Sequence, residues 1–211
     1  MPLQNRVNPF GELFASEARG TLFGNRGGKF HRDDRTLSAR RWTSRQWICC
    51  VLEFKGRQRN VWGRYYTELF FLDEVTALAA GHRPCFECRR ADALAFAEAF
   101  GEPGHRPSAP DMDIVLHAER LDGREKRVHR RALDELPDGT IITLTGTEAL
   151  AVNGDALLPW TPSGYGPARE RLRDVEVDVL TPPSILRALA RGFAPRWHET
   201  AAASPVARCR G

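Results

Sequence analysis

A Cys-x-x-Cys turn at the end of a short helix limits this chain more than any other feature. Residues Leu72 to Ala80 read as a small apolar helix with Asp73 as N-cap, and Gly81-His82-Arg83-Pro84 breaks it just ahead of Cys85-Phe86-Glu87-Cys88. Two thiolates at this spacing grip one tetrahedral metal from a single loop, a geometry that zinc favours in intracellular proteins. A structural zinc takes four ligands, so two more must come from elsewhere in the chain.

The candidates are His31, Cys49, Cys50, His82 and, remotely, Cys209. Arg45 to Phe54 alternates as a strand, with Ile48, Cys50, Leu52 and Phe54 on one face and Trp47, Cys49, Val51 and Glu53 on the other. One metal therefore takes Cys49 or Cys50, not both. Cys50 is the choice, because its face carries the residues on which the helix would pack. His31 is the expected fourth ligand, with Asp33 or Asp34 accepting its second ring N–H. His82 is expected to cap or pack.

The remaining pattern predicts an α+β protein. A second strand, Tyr65 to Leu72, would pair with the first as a hairpin across the turn Lys55 to Arg59, and Ala91 to Phe100 is an amphipathic helix with Leu94, Phe96 and Ala97 inward. The first thirty residues, with Gly24-Asn25-Arg26-Gly27-Gly28, read as an irregular segment docked through Phe10, Leu13, Phe14, Leu22 and Phe23. Gly101 to Pro110 is the best boundary, giving a basic zinc module over 1–103 and a second domain over 104–211. In that second half 111–135 reads as helical, broken at Asp122-Gly123. Short strands follow at 140–145, 148–152, 156–160 and 174–180, with Asn153-Gly154-Asp155 as a hairpin turn, then a helix from Pro182 or Pro183 to Ala190 stopped by Gly192. The expected whole is a zinc-stabilised hairpin and helix packed on a mostly antiparallel β unit flanked by helices, with a disordered tail around Cys209.

Charge is divided unevenly. Residues 1–90 hold 16 Lys and Arg against 9 Asp and Glu, and residues 91–211 hold 15 against 18, so +7 and −3 make up the net +4. A polyanion is the natural partner for the basic half, which makes nucleic acid the leading expectation, DNA before RNA. Arg40, Arg41, Arg45, Arg57, Arg59, Arg64, Arg89 and Arg90, with Lys55, are the candidate phosphate contacts, and Trp42, Trp47 or Trp62 are candidates for stacking on a base, with Trp47 favoured for the core. No run of 18 apolar residues is present and the first ten residues lack a signal-like stretch, which predicts a soluble cytoplasmic protein with reduced thiols.

Glu74 to Cys88, containing Ala-Leu-Ala-Ala-Gly-His-Arg-Pro-Cys-x-x-Cys, resembles the end of the metal-binding domain of Ada-type DNA-repair proteins, and the likeness extends over about residues 45 to 90. The resemblance implies that Cys85 and Cys88 bind zinc and that the strand holding Cys49 and Cys50 supplies a further ligand. The family's first Cys-x-x-x-Cys pair and its Pro-Cys-His-Arg motif are absent here. Tyr66 through Arg90 also resembles a bacterial protein family without an assigned activity.

The expected function is a zinc-binding protein that binds nucleic acid, in repair or processing. Three alternatives stand beside it: a thiolate at Cys50 accepting an alkyl group from damaged DNA, a metal-dependent nuclease using His31, Asp33 and Asp34, and a purely structural zinc protein with a protein partner. His117, Glu119 and His129 are assigned no role, and Trp160 to Gly166 is either a ligand-site rim or a packed loop.

Overall fold

Gly24 turns the glycine-rich start of the chain into the middle of a sheet. A Cβ there would lie 2.1 Å from the Ile48 carbonyl oxygen and 2.8 Å from Phe71 Cε2, so only glycine lets the three strands close up. The structure, a computed structural model, describes residues 1–57 and 60–202; Arg59 and Cys209 lie outside them. Its first sheet comprises β1 (Arg6–Val7), β2 (Leu13–Phe14), β3 (Leu22–Asn25), β4 (Ile48–Val51), β5 (Leu69–Phe71) and β6 (Arg83–Pro84), in the order β2-β1-β5-β3-β4-β6.

The expected hairpin of the two long apolar runs is therefore not formed. β3 lies between β4 and β5, antiparallel to both, and the strands themselves are shorter than the alternation implied. Alternation states which face a residue takes and is silent on the neighbour. Leu22-Phe23, followed by Gly24, offers too short a period to register as a strand.

Between β5 and β6 runs α1 (Glu74–Ala79), every residue of which is buried. A helix mostly apolar, with its polar side chains Glu74 and Thr76 paired, belongs inside, and α1 supplies Val75 and Ala79 to one core, Ala77 to a second and Leu78 to a third. Asp73 caps it as expected, accepting from the Thr76 amide at 2.9 Å. The same carboxylate accepts from the Tyr165 hydroxyl at 2.8 Å and the His198 amide at 3.0 Å, so the start of α1 is bolted to the far end of the chain.

After the Cys-x-x-Cys turn come α2 (Arg90–Phe100) and α3 (Ala109–Arg120). α2 buries Ala93, Phe96, Ala97 and Phe100; Leu94, expected inward, is half-buried. α3 opens on a capping box between Ser108 and Asp111. The helix expected over 111–135 stops at Arg120, because Asp122-Gly123 makes a tight hairpin between β7 (Leu121–Asp122) and β8 (Glu125–Lys126), and β9 (His129–Ala132) is already a strand.

The second sheet is antiparallel throughout. β9, β10 (Ile141–Thr143), β11 (Leu150–Asn153), β12 (Ala156–Thr161), β13 (Gly164–Tyr165) and β15 (Glu176–Val179) follow the order β13-β12-β11-β10-β15-β9, and β14 (Arg169–Glu170) pairs with β12. The Asn153 to Ala156 turn joins β11 to β12 as predicted. α4 (Pro183–Ala190) then packs Ile185, Ala188 and Leu189 against Phe96 of α2 and Met112 and Leu116 of α3. The cores around Val75 and around Leu78 thus mix residues from both sides of residue 103, while other cores stay within one side, in an α+β architecture. No helix among the described residues is long and apolar enough to cross a membrane.

Candidate metal centre

The register of two short strands brings the cysteines together. β4 and β6 are parallel, with Ile48 beside Arg83 and Cys49 beside Pro84, so the next residue of each strand, Cys50 and Cys85, falls side by side. The Cys85 amide donates to the Cys49 carbonyl at 3.0 Å and holds the start of the knuckle against β4. The turn then folds Cys88 back. The sulfurs of Cys50, Cys85 and Cys88 all lie within 4.8 Å of one another.

This donor set fits a thiophilic metal. Sulfurs around a tetrahedral ion at bond lengths of about 2.3 Å stand roughly 3.8 Å apart, which the cluster reaches by small side-chain movements. The Glu87 amide donates to Cys85 Sγ at 3.4 Å, a contact that favours a thiolate over a thiol. Hydrogen bonding with Cys50 and Cys88 pulls Cys85 down, while hydrogen bonding with Cys85 and Cys88, together with burial, pushes Cys50 up. Cys50 is 4% exposed and Cys88 half-buried.

Cys49 points to the opposite face, as alternation requires. It is fully buried, and Arg89 Nη1 donates to its sulfur at 3.2 Å. Burial, with the Glu74 carboxylate nearby, pushes its thiol up.

His31, the expected fourth ligand, is not brought to the cluster. Its Nδ1 lies 2.8 Å from Thr67 Oγ1, its Nε2 lies 3.1 Å from the Gly63 carbonyl oxygen, and its ring stacks on Trp62 at 5.0 Å. Asp33 and Asp34 do not orient it. They are exposed and turned to Lys29 and Thr36, so the expected hydrolytic trio of His31, Asp33 and Asp34 is not assembled. His82 packs, as expected, between Trp47 and Phe71. Among the described residues three side chains, Cys50, Cys85 and Cys88, are grouped so that they could hold a metal ion.

The three sulfurs help line a cavity of about 590 Å³ that also touches Phe23, Arg57, Arg64, Tyr65, Tyr66 and Glu87. Arg57 reaches over the knuckle to Glu87 at 2.7 Å. Tyr65 and Tyr66 are 72% and 49% exposed, the largest aromatic surfaces beside the site. They were not among the candidate residues. Strand alternation would have turned one of them inward, but both precede β5 on irregular backbone and stay exposed.

The candidate arginines separate into groups. Arg40, Arg45 and Arg90 are exposed, Arg57 and Arg64 belong to the cysteine cavity, and Arg41 lines a different one. Arg89 is a correction: it is 3% exposed, paired with Glu74 at 2.8 Å and Asp92 at 2.8 Å, and unavailable to a phosphate. Against the cost of burial, those carboxylates hold its guanidinium firmly charged. Trp47 and Trp62 are buried and Trp42 is half-buried. Tyr165 of the glycine-rich loop packs inward on Asp73, while Trp160 donates to Thr76 and also lines a cavity of about 500 Å³ with Phe10 and Glu148. No family model, curated protein or solved structure matches the chain.

Proposed function

We propose that Cys50, Cys85 and Cys88 hold one zinc ion and that the face around it binds nucleic acid, DNA in the first instance. The observation that carries this reading is the convergence of three sulfurs on a cavity edged by Arg57, Arg64, Tyr65 and Tyr66. Three thiolates are a soft donor set that suits zinc in a reduced protein, and the ion would tie β4 to the turn that starts α2. Its fourth position is left to a water or to a group entering the cavity. Exposed tyrosines offer stacking surfaces worth about 1–3 kcal/mol per unstacked base, and the arginines beside them meet the backbone phosphates. The resemblance of Glu74 to Cys88 to the end of the Ada-type metal-binding domain is consistent with Cys85 and Cys88 as ligands, a third from the strand holding Cys49 and Cys50, and the same partner.

Fluorescence anisotropy of a labelled single-stranded DNA tests it. Binding is expected to weaken as salt rises, and Arg64→Gln to reduce the slope of log affinity on log salt by about 0.7. Tyr65→Ala is expected to cost about tenfold without changing that slope. Affinity that ignores salt, or that survives both substitutions, removes the nucleic-acid reading.

One observation favours a second reading, in which a sulfur of the centre accepts an alkyl group from damaged DNA. Cys88 is half-buried at the cavity whereas Cys50 is nearly enclosed, so Cys88 takes the acceptor role earlier expected of Cys50. Exposure to methylated DNA followed by peptide mass analysis should place one methyl group on the Cys88 peptide.

A further inference from the structure

On the opposite face of the first sheet a different cavity, about 650 Å³ in volume, is lined by five cations, Arg26, Arg41, Arg120, Arg124 and Lys126, against two exposed acids, Glu12 and Glu125. Its inner end is built around Trp47. The guanidiniums of Arg26 and Arg120 each lie over that ring, both 3.9 Å from its centroid, and so take its two faces. They are 2% and 1% exposed. Gly81, at φ +83, has no side chain because Arg120 passes where a Cβ would stand, 2.6 Å from its Cδ.

The partners of these buried cations are neutral. Arg26 donates to the Gly11 carbonyl at 2.9 Å and lies 3.4 Å from His82 Nε2. Arg120 donates to the carbonyls of Gly81 at 2.9 Å and Arg45 at 2.7 Å, and Lys126 to the Ala79 carbonyl at 2.5 Å. The carbonyls at the end of α1 carry only partial negative charge, too little to balance the cations gathered there. The nearest buried carboxylate, Asp113, is engaged by both arms of Arg83 at 2.8 Å. Arg120 Nε and His82 Nδ1 are buried without a partner. Burial and mutual repulsion accordingly lower Arg120 to about 8 and Lys126 to about 7. A group of cations this short of counter-charge, beside an open cavity, is incomplete without an anion.

We propose that this cavity binds a phosphate monoester group, with Arg26, Arg120 and Lys126 supplying the charge at its inner end and Trp42 flanking the remainder of the ligand. Arg26 and Arg120, whose arms are engaged by carbonyls, act through their charge rather than by direct fork contacts, and a dianion answers several cations where a single carboxylate does not. The volume exceeds that of inorganic phosphate and suits a ligand of nucleotide size. Half-buried Trp42 lines the same cavity and offers a face to a base. The group has two possible sources, a free nucleotide or the end of a nucleic-acid strand. The inference does not depend on the metal centre, which lies across the sheet.

Tryptophan fluorescence of the full chain is the readout, at constant ionic strength set with chloride. The probes are inorganic phosphate, a nucleoside monophosphate, and one oligonucleotide with either a 5′-phosphate or a 5′-hydroxyl. Saturable one-to-one binding of the monophosphate is expected, displaced by inorganic phosphate and weakened at least tenfold by Lys126→Met but not by Lys126→Arg. Tenfold tighter binding of the phosphorylated oligonucleotide than of its hydroxyl form assigns the group to a strand end, and equal binding of the two beside a tightly bound monophosphate assigns it to a free nucleotide. Should Lys126→Met fail to fold, Arg124→Gln at the exposed rim carries the same test with a smaller expected loss. Phosphates that bind no better than chloride, or binding that the folded variants leave intact, overturn the proposal.

Discussion

At the scale of single residues, what decides the site is which way a side chain points. Cys49 and Cys50 are neighbours with unrelated fates, one held by Arg89 behind the sheet and the other facing the knuckle. That division was readable from alternation. The place of His31 was not, since its ring is fixed by Thr67 and Gly63, more than thirty residues along the chain. Arg89 looked like surface charge next to Arg90, yet Glu74 of α1 is 1% exposed and needs it. Arg89→Ala should therefore cost about 3–5 kcal/mol in urea unfolding, because it strands a buried carboxylate. His82 supplies a pH dependence of definite sign. Burial first, then the charges of Arg26 and Arg120, hold its imidazole well below 6.5, so the unfolded chain binds the proton more readily. Its contribution to stability is complete above the unfolded value of about 6.5 and is lost as pH falls below it, by up to about 1.4 kcal/mol per pH unit. The unfolding midpoints of wild type and His82→Phe, compared from pH 7.5 to 5, should converge toward acid; parallel lines would show that His82 is not titrating there.

At the scale of elements, α1 and β3 carry the account. The helix was legible because Asp73 and the largely apolar run Val75 to Ala80 are local signals. Its surroundings were not, because the carboxylate that caps it also serves Tyr165 and His198. Asp73→Ala should then lose more than a cap's usual value of about 1 kcal/mol, about 3 kcal/mol in all, since a buried phenol is left without its acceptor. Asp73→Asn, which keeps an oxygen, should lose less, and thermal melts of the two variants separate the contributions. β3 shows the opposite limit. Its pairing with both β4 and β5 depends on a close approach at Gly24 that no local pattern announces. Gly24→Ala is expected to prevent folding of the first sheet, read as loss of metal binding and of dispersed amide signals together.

At the scale of the whole molecule, the proline- and glycine-rich stretch after Phe100 is the expected boundary, and cores nonetheless cross it. Leu78 and Phe96 before it share a core with Ile185, Leu189 and Phe193 after it, and Leu72 and Val75 share another with Ile141 and Leu158. A fragment of residues 1–103 should accordingly fail to give a cooperative melt, whereas one that melts like a native domain would show the first sheet to be self-sufficient. Positive charge gathers at two separate places on opposite faces: arginines beside tyrosines around three sulfurs, drawn from the basic first half, and a cationic cavity behind them to which both halves contribute, Arg26 and Arg41 from the first and Arg120, Arg124 and Lys126 from the second. Most direct is the measurement of metal content by elemental analysis on wild type beside single Cys49→Ser, Cys50→Ser, Cys85→Ser, Cys88→Ser and His31→Ala variants. One zinc per chain is expected, lost with Cys50, Cys85 or Cys88 and retained with Cys49→Ser and His31→Ala. A folded wild type that carries no metal, or a metal lost with His31 and kept without Cys50, would contradict it.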